Sequence, residues 1–110
     1  MAYTPATLGM VAHSGGPLGM TIWVYDTVDV NSTVYAAGYI SDGLERGMQK
    51  GDILYCRIWT TASPTETSEM VTAAATANIL TAVYTHVVLG LSTAGAADLT
   101  NGVAITLTNS

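Results

Sequence analysis

The chain has 110 residues, of which 49% are hydrophobic and only 10% are charged, against about 25% in an average soluble domain. Eight acids and three bases give a net charge of −5, which argues against binding to nucleic-acid phosphates, because that needs clustered Lys and Arg. A single cysteine excludes a disulfide framework and a multi-thiolate zinc site. We expect one domain with one hydrophobic core, no membrane span, and surfaces buried in an assembly, because so few charges solvate them.

Residues 1–20 form the first segment, and they contain no charged residue. Without Lys or Arg there is no cationic start of a signal peptide, so we expect the chain to be made and kept in a cytoplasm. A short strand is expected at residues 8–12, before a Gly-Pro turn at residues 14–17. We interpret the segment as an N-terminal arm that lies on a neighbouring subunit; the alternative is a frayed terminus. The predicted partner-binding residues are Met1, Ala2, Tyr3, Thr4, Pro5, Leu8, Met10 and Val11.

Two runs of β-branched and aromatic residues predict strands, at residues 20–25 and 53–60. Alternation places Leu54, Cys56 and Ile58 on the drier face of the second strand. We therefore interpret Cys56 as a small buried hydrophobe.

The segment between these strands indicates a short helix over residues 30–37. Asp29 is a candidate N-cap, because its carboxylate can accept the free backbone N–H groups of the first turn. Val30, Val34 and Ala37 recur at helical spacing, and Gly38 is suited to end the helix. A second helical turn is expected within residues 44–49, followed by a tight turn at residues 50–52.

The remainder predicts a loop at residues 61–68, β-capable runs at 69–74, 79–89 and 103–108, and a loop at 92–102. The run at 69–74 also suits a helix, because it leads into three alanines. Asn101-Gly102 suits a hairpin turn, which would pair residues 96–100 with 103–107. The predicted fold is mainly β: a compact antiparallel sandwich or barrel-like domain over residues 21–110, with one short helix near residues 30–37.

Candidate chemistry is sparse. His13 and His86 are far apart in the sequence and lack metal-ligand spacing, and a catalytic pair would need one of them beside Cys56. Asp29 and Asp52 are explained as a helix cap and a turn residue. The sequence therefore predicts no catalytic residue, no metal ligand and no cofactor. Aromatic side chains remain that could stack on sugar rings, although such residues in strands more often belong to a core or a subunit interface: Trp23, Tyr55 and Trp59.

One stretch, residues 25–55, resembles a pattern common in small virion structural proteins of tailed bacteriophages. It comprises Tyr-Asp-Thr-Val-Asp at residues 25–29, Thr-Val at 33–34, Ala-Gly-Tyr-Ile at 37–40 and Gly-Asp-Ile-Leu at 51–54. Ile40 stands where Phe is usual in that pattern. No functional residue is carried over, because the pattern reads as a folding unit.

The resemblance implies a non-enzymatic part of a phage particle, of the capsid decoration (cement) or head-fibre type, made in the cytoplasm of a bacterial host. We expect a capsid decoration protein, forming a homotrimer and binding the major capsid protein, with neither nucleic acid nor membrane as a partner. The alternatives are a head-fibre base or tail component, a carbohydrate-binding module using the aromatic residues above, and a small hydrolase.

Overall fold

The computed structural model describes residue 3 and residues 5–15, 18–60 and 79–107, and these form six strands and three short helices. After a 3-10 helix at Pro5–Thr7, the elements are β1 (Leu8–His13), β2 (Thr21–Thr27), α1 (Asn31–Val34), α2 (Gly43–Arg46), β3 (Ile53–Trp59), β4 (Leu80–Leu91), β5 (Ala97–Leu99) and β6 (Val103–Ile105). The predicted loop at 61–68 and the run at 69–74 lie outside the described residues.

The strands form one sheet in the order β1-β2-β3-β4-β5, with β6 also paired to β4. The prediction of a mainly β fold is confirmed, and the sheet is not closed into a barrel. The expected antiparallel pairing is wrong for one pair, because β2 and β3 run parallel. Parallel neighbours need a long crossover, which residues 28–52 supply. We call this segment, with α1 and α2, the crossover.

The crossover covers one face of the sheet and forms the core with it. Trp23 and Tyr25 from β2 meet Leu54 and Cys56 from β3 on this face, as strand alternation requires. The crossover contributes Val34, Ile40 and Met48, each 1% exposed. The predicted dry face of β3 and the burial of Cys56 are confirmed.

The helix predicted at 30–37 is shorter than expected. It spans only Asn31–Val34, and Asp29 does not cap it, since no side-chain bond reaches its N-terminus. The Asp29 carboxylate is instead buried and accepts a hydrogen bond from the Tyr39 hydroxyl at 2.6 Å. Because the Asp29 carboxylate is held in the core by Tyr39, it does not accept the backbone N–H groups of the first helical turn. The second helical turn exists as α2 and ends at Gly47 with φ 93°.

The predicted hairpin at Asn101-Gly102 is wrong. Instead of pairing with each other, β5 and β6 both run antiparallel along β4, from Ala97 opposite Leu91 to Ile105 opposite Val83. They act as one strand interrupted at residues 100–102. The interruption accommodates the buried His86, whose Nδ1 lies 2.8 Å from the Thr100 carbonyl oxygen. Gly102, with φ 87°, leaves the space beside that ring, because a Cβ there would lie 2.6 Å from His86 Cε1.

Candidate interaction surface

Much of the predicted N-terminal arm belongs to the chain's own sheet. Leu8–His13 is β1, which pairs with β2 from Leu8 opposite Tyr25 to His13 opposite Thr21. The expected short strand is therefore present. Because β1 is the edge strand of the sheet, it belongs to the domain. The predicted domain boundary at residue 20 therefore does not separate this strand from the domain as an arm.

Polar contacts hold the chain in front of β1 against the crossover. The Arg46 guanidinium donates to the carbonyl oxygens of Leu8 at 3.0 Å and Pro5 at 2.8 Å, and its Nε donates to Asp42 at 2.9 Å. The Tyr3 hydroxyl donates to Asp42 Oδ1 at 2.6 Å. Burial opposes ionisation of Asp42, but the hydrogen bonds from Tyr3 and Arg46 prevail and lower its pKa. The ion pair between Arg46 and Asp42 is partly exposed, so it contributes little to the free energy of folding and serves mainly to position the chain in front of β1.

The predicted partner-binding residues therefore divide into two groups. Tyr3 packs against the core and Leu8 is only 4% exposed, so both are committed to the chain's own fold. Met10 and Val11 are 60% and 61% exposed on β1. Pro5 is also exposed, while Met1, Ala2 and Thr4 lie outside the described residues.

A second surface, which the sequence did not reveal, is the sheet face opposite the crossover. We call it the outer face. Register aligns Val24, Tyr55, Thr85 and Val103 across four strands, and other rows add further apolar side chains. Those other apolar members are Ile22, Ile53, Val83, Val87 and Ile105, followed along β4 by Leu89. Alternation predicts that this is the less dry face of β3, but only the pairing of β3 with β2 and β4, and of β4 with β6, brings its apolar side chains together.

The outer face carries one ion pair at its end. Arg57 donates to both carboxylate oxygens of Asp26, at 2.7 and 2.9 Å, and the Trp59 indole N–H donates to the same carboxylate at 3.0 Å. The Arg57 guanidinium also lies 5.5 Å from the centre of the Trp59 ring. Four of the other described acids lie in the crossover: Asp29, Asp42, Glu45 and Asp52. Asp98 lies on β5 between the core residues Ala97 and Leu99, so alternation directs it to the outer side, at the opposite end from the ion pair. The middle of the outer face thus carries no charged side chain among the described residues, on a chain of net charge −5.

Of the groups considered for a catalytic pair, Cys56 and His86 are enclosed, whereas His13 is exposed at the end of β1. Burial, with smaller contributions from the Asp26 and Asp29 charges, raises the pKa of Cys56 to about 12, so the thiol is protonated at neutral pH. His86 is fully buried; burial lowers its pKa, and its Nε2 has no hydrogen-bond partner. Within the described part of the chain, no group of three His, Cys, Asp or Glu residues could hold a metal ion.

The tryptophans proposed for sugar stacking are buried. Trp23 is 3% and Trp59 5% exposed, and their indole N–H groups donate to Asp52 and Asp26. Of the three aromatic residues considered for sugar stacking, only Tyr55, 38% exposed on the outer face, could present its ring to a ligand. This geometry favours packing against another protein surface over recognition of sugar rings.

A cavity of about 320 Å³ lies beside β5, between the crossover and the end of β4. Its lining is mainly Ala and Gly, with Ser92 and Asp98 as the polar members. The Ser92 hydroxyl already accepts the Ala96 N–H at 3.1 Å. The lining favours no particular class of ligand.

None of the helices within the described residues is long and apolar enough to cross a membrane. Comparisons with protein-family models, curated proteins and solved structures find no match for this chain.

Proposed function

We propose that the chain is a non-enzymatic structural subunit of a tailed-bacteriophage particle, a capsid decoration protein that binds the major capsid protein as a homotrimer. The observation that carries the proposal is the uncharged edge strand β1, on which Met10 and Val11 are mostly exposed. The resemblance of residues 25–55 to small phage virion proteins supports the particle as its location.

The mechanism is mechanical. A subunit that bridges neighbouring capsid proteins buries apolar surface only when the shell is closed, so it stabilises the shell relative to free subunits. The anchoring of β1 by pairing with β2, and of the preceding chain by Arg46, presents Met10 and Val11 on a rigid edge. Preorganisation of this kind lowers the entropy lost on binding.

The test is particle binding by the double variant Met10→Glu/Val11→Glu. Purified protein is mixed with particles of the encoding phage that lack it, and bound copies are counted by quantitative mass spectrometry. The wild type should bind in hundreds of copies per particle, whereas the double variant should bind at least tenfold more weakly with unchanged far-UV circular dichroism. The charge-matched control is Val30→Glu/Leu44→Glu, because both positions are exposed in the crossover, at 62% and 61%, and belong neither to β1 nor to the outer face.

Copy number separates the alternatives. A few copies per particle would indicate a head-fibre base or tail component and would overturn the decoration role. Absence of the wild-type chain from purified virions, together with no binding to particles, would refute the whole proposal.

A further inference from the structure

We infer that the outer face of the sheet is the surface against which a second copy of this chain packs. The inference goes beyond the proposed function and does not supply its threefold contact, because a face that packs against the same face of a second copy relates the two copies by a twofold axis. It does not involve β1, which is assigned to the capsid, so the two assignments can fail separately.

The first argument is the amount of apolar surface. Six outer-face side chains are between 36% and 71% exposed: Val24, Tyr55, Val87, Leu89, Val103 and Ile105. Together they present on the order of 500 Å² of apolar surface, as large as the largest patch on a typical monomer, which is often functional. A stable protein interface takes roughly 800 Å² from each partner, of which the apolar centre is only a part. The outer face thus has enough area to form the centre of such an interface.

The second argument is shape. The exposed side chains stand in rows across adjacent strands, as the register of β2, β3 and β4 shows. Such a face fits another sheet face, with side chains of the two sheets interdigitating over about 10 Å. A second copy supplies that matching surface without any further partner.

The third argument is charge. Two copies, each of net charge −5, repel one another over most of their surface. The middle of the outer face avoids this repulsion, because Arg57 neutralises Asp26 within the chain, and because Asp98, the other described acid on this side, lies at the opposite end. A basic partner would gain nothing from the middle of this face, whereas an identical copy meets no like charge there.

The experiment compares three proteins by light scattering behind a sizing column, over a range of concentrations. The outer-face variant is Tyr55→Glu/Val87→Glu, which forces two charges into the inferred contact. The control is Val30→Glu, a position 62% exposed in the crossover and therefore outside the contact. Far-UV circular dichroism and thermal unfolding of all three monitor the fold.

We expect the wild type and Val30→Glu to contain an even number of chains, and the outer-face variant to have half the wild-type mass. Its association constant should fall at least a hundredfold, because each buried unpaired charge is strongly unfavourable in an interface. Should the glutamates disturb the fold, Tyr55→Thr/Val87→Thr retains β-forming residues and should still weaken association.

Two outcomes overturn the inference. One is an outer-face variant that folds and keeps the wild-type mass; if Met10→Glu/Val11→Glu also abolishes particle binding, the proposed function stands without this surface. The other is a wild type that has the mass of one chain at every concentration. In that second case, particle binding would still test the proposed function independently.

Discussion

Replacing Asp52 by asparagine should lower the free energy of unfolding by about 2–5 kcal/mol, because this buried carboxylate joins three parts of the fold. Asp52 is 1% exposed. Its Oδ1 accepts the Thr21 backbone N–H at 3.0 Å, and its Oδ2 accepts the Trp23 indole N–H at 3.1 Å and the Gln49 backbone N–H at 2.9 Å. The carboxylate thereby ties the start of β2 to the turn that begins β3.

The magnitude follows from counting donors. Asparagine keeps the shape but has one acceptor oxygen, so its amide group faces at least one of the three N–H groups. Each buried donor left without an acceptor costs about 1–3 kcal/mol, and the amide group strands one donor if it occupies the Oδ1 position and two if it occupies the Oδ2 position. This is a large part of the roughly 5–15 kcal/mol that stabilises a typical domain.

Urea unfolding, followed by tryptophan fluorescence and far-UV circular dichroism, measures the change. Asp98→Asn is the matched control, because Asp98 is exposed on β5 and its replacement should alter stability by less than about 0.5 kcal/mol. If Asp52→Asn unfolds within that same margin of the wild type, the three hydrogen bonds do not contribute as inferred.

Four further predictions concern single residues. Gly102→Ala should cost about 2–4 kcal/mol in urea unfolding, because it adds strain at φ 87° and a contact of 2.6 Å with the His86 ring. Burial lowers the pKa of His86 in the folded chain, so the unfolded chain binds this proton at a higher pH than the folded chain does. The free energy of unfolding should therefore keep its full value above about pH 6.5 and decrease as the pH falls below that, which a series of Tm measurements would show. Tyr3→Phe should cost about 1–2 kcal/mol and raise the pKa of Asp42. Cys56, with its pKa raised to about 12, should react with a thiol reagent at pH 8 only after the chain is unfolded.

Each of these has a discriminating control. Gly51→Ala shares a positive φ of 92° but meets no atom within 4 Å, so equal losses at both glycines would refute the contact with His86. A wild-type pH profile that His86→Gln leaves unchanged, compared with His13→Gln, would contradict the assignment to His86. Unaltered stability in Tyr3→Phe would show that its hydroxyl does not anchor the N-terminal chain. Rapid labelling of native Cys56 would show that the core opens.

The strands β2 and β3 were predictable from the sequence, because the residue types and the alternation that indicate a strand are local properties. Residues 53–60 alternate with a dry face at Leu54, Cys56 and Ile58, and all three are buried in β3. The run at residues 20–25 becomes β2, which begins one residue later and ends two residues later than predicted. Dense β-branched and aromatic side chains favour extended backbone wherever the partners lie.

The errors arose where a local signal competed with a distant contact. Asp29 has the residue type and position of a helix cap, yet Tyr39 holds its carboxylate in the core. Asn101-Gly102 has the sequence of a hairpin turn, yet His86 occupies the space beside Gly102 and the strand continues along β4. In both places burial of a polar side chain outweighed a preference worth about 1 kcal/mol or less.

The two candidate interaction surfaces also depend partly on local sequence and partly on tertiary contacts. The sequence by itself determined the low charge, the strand-forming runs, the buried side of β3 and the uncharged first segment, because these depend on residue type and period alone. Only the tertiary structure decided that β2 and β3 pair in parallel and that Tyr3 and Leu8 turn inward while Met10 and Val11 stay exposed. It also decided that the outer face gathers apolar side chains and carries no charge in its middle. These outcomes depend on contacts between residues distant in sequence, such as Arg57 with Asp26 and Arg46 with Leu8, which no local pattern encodes.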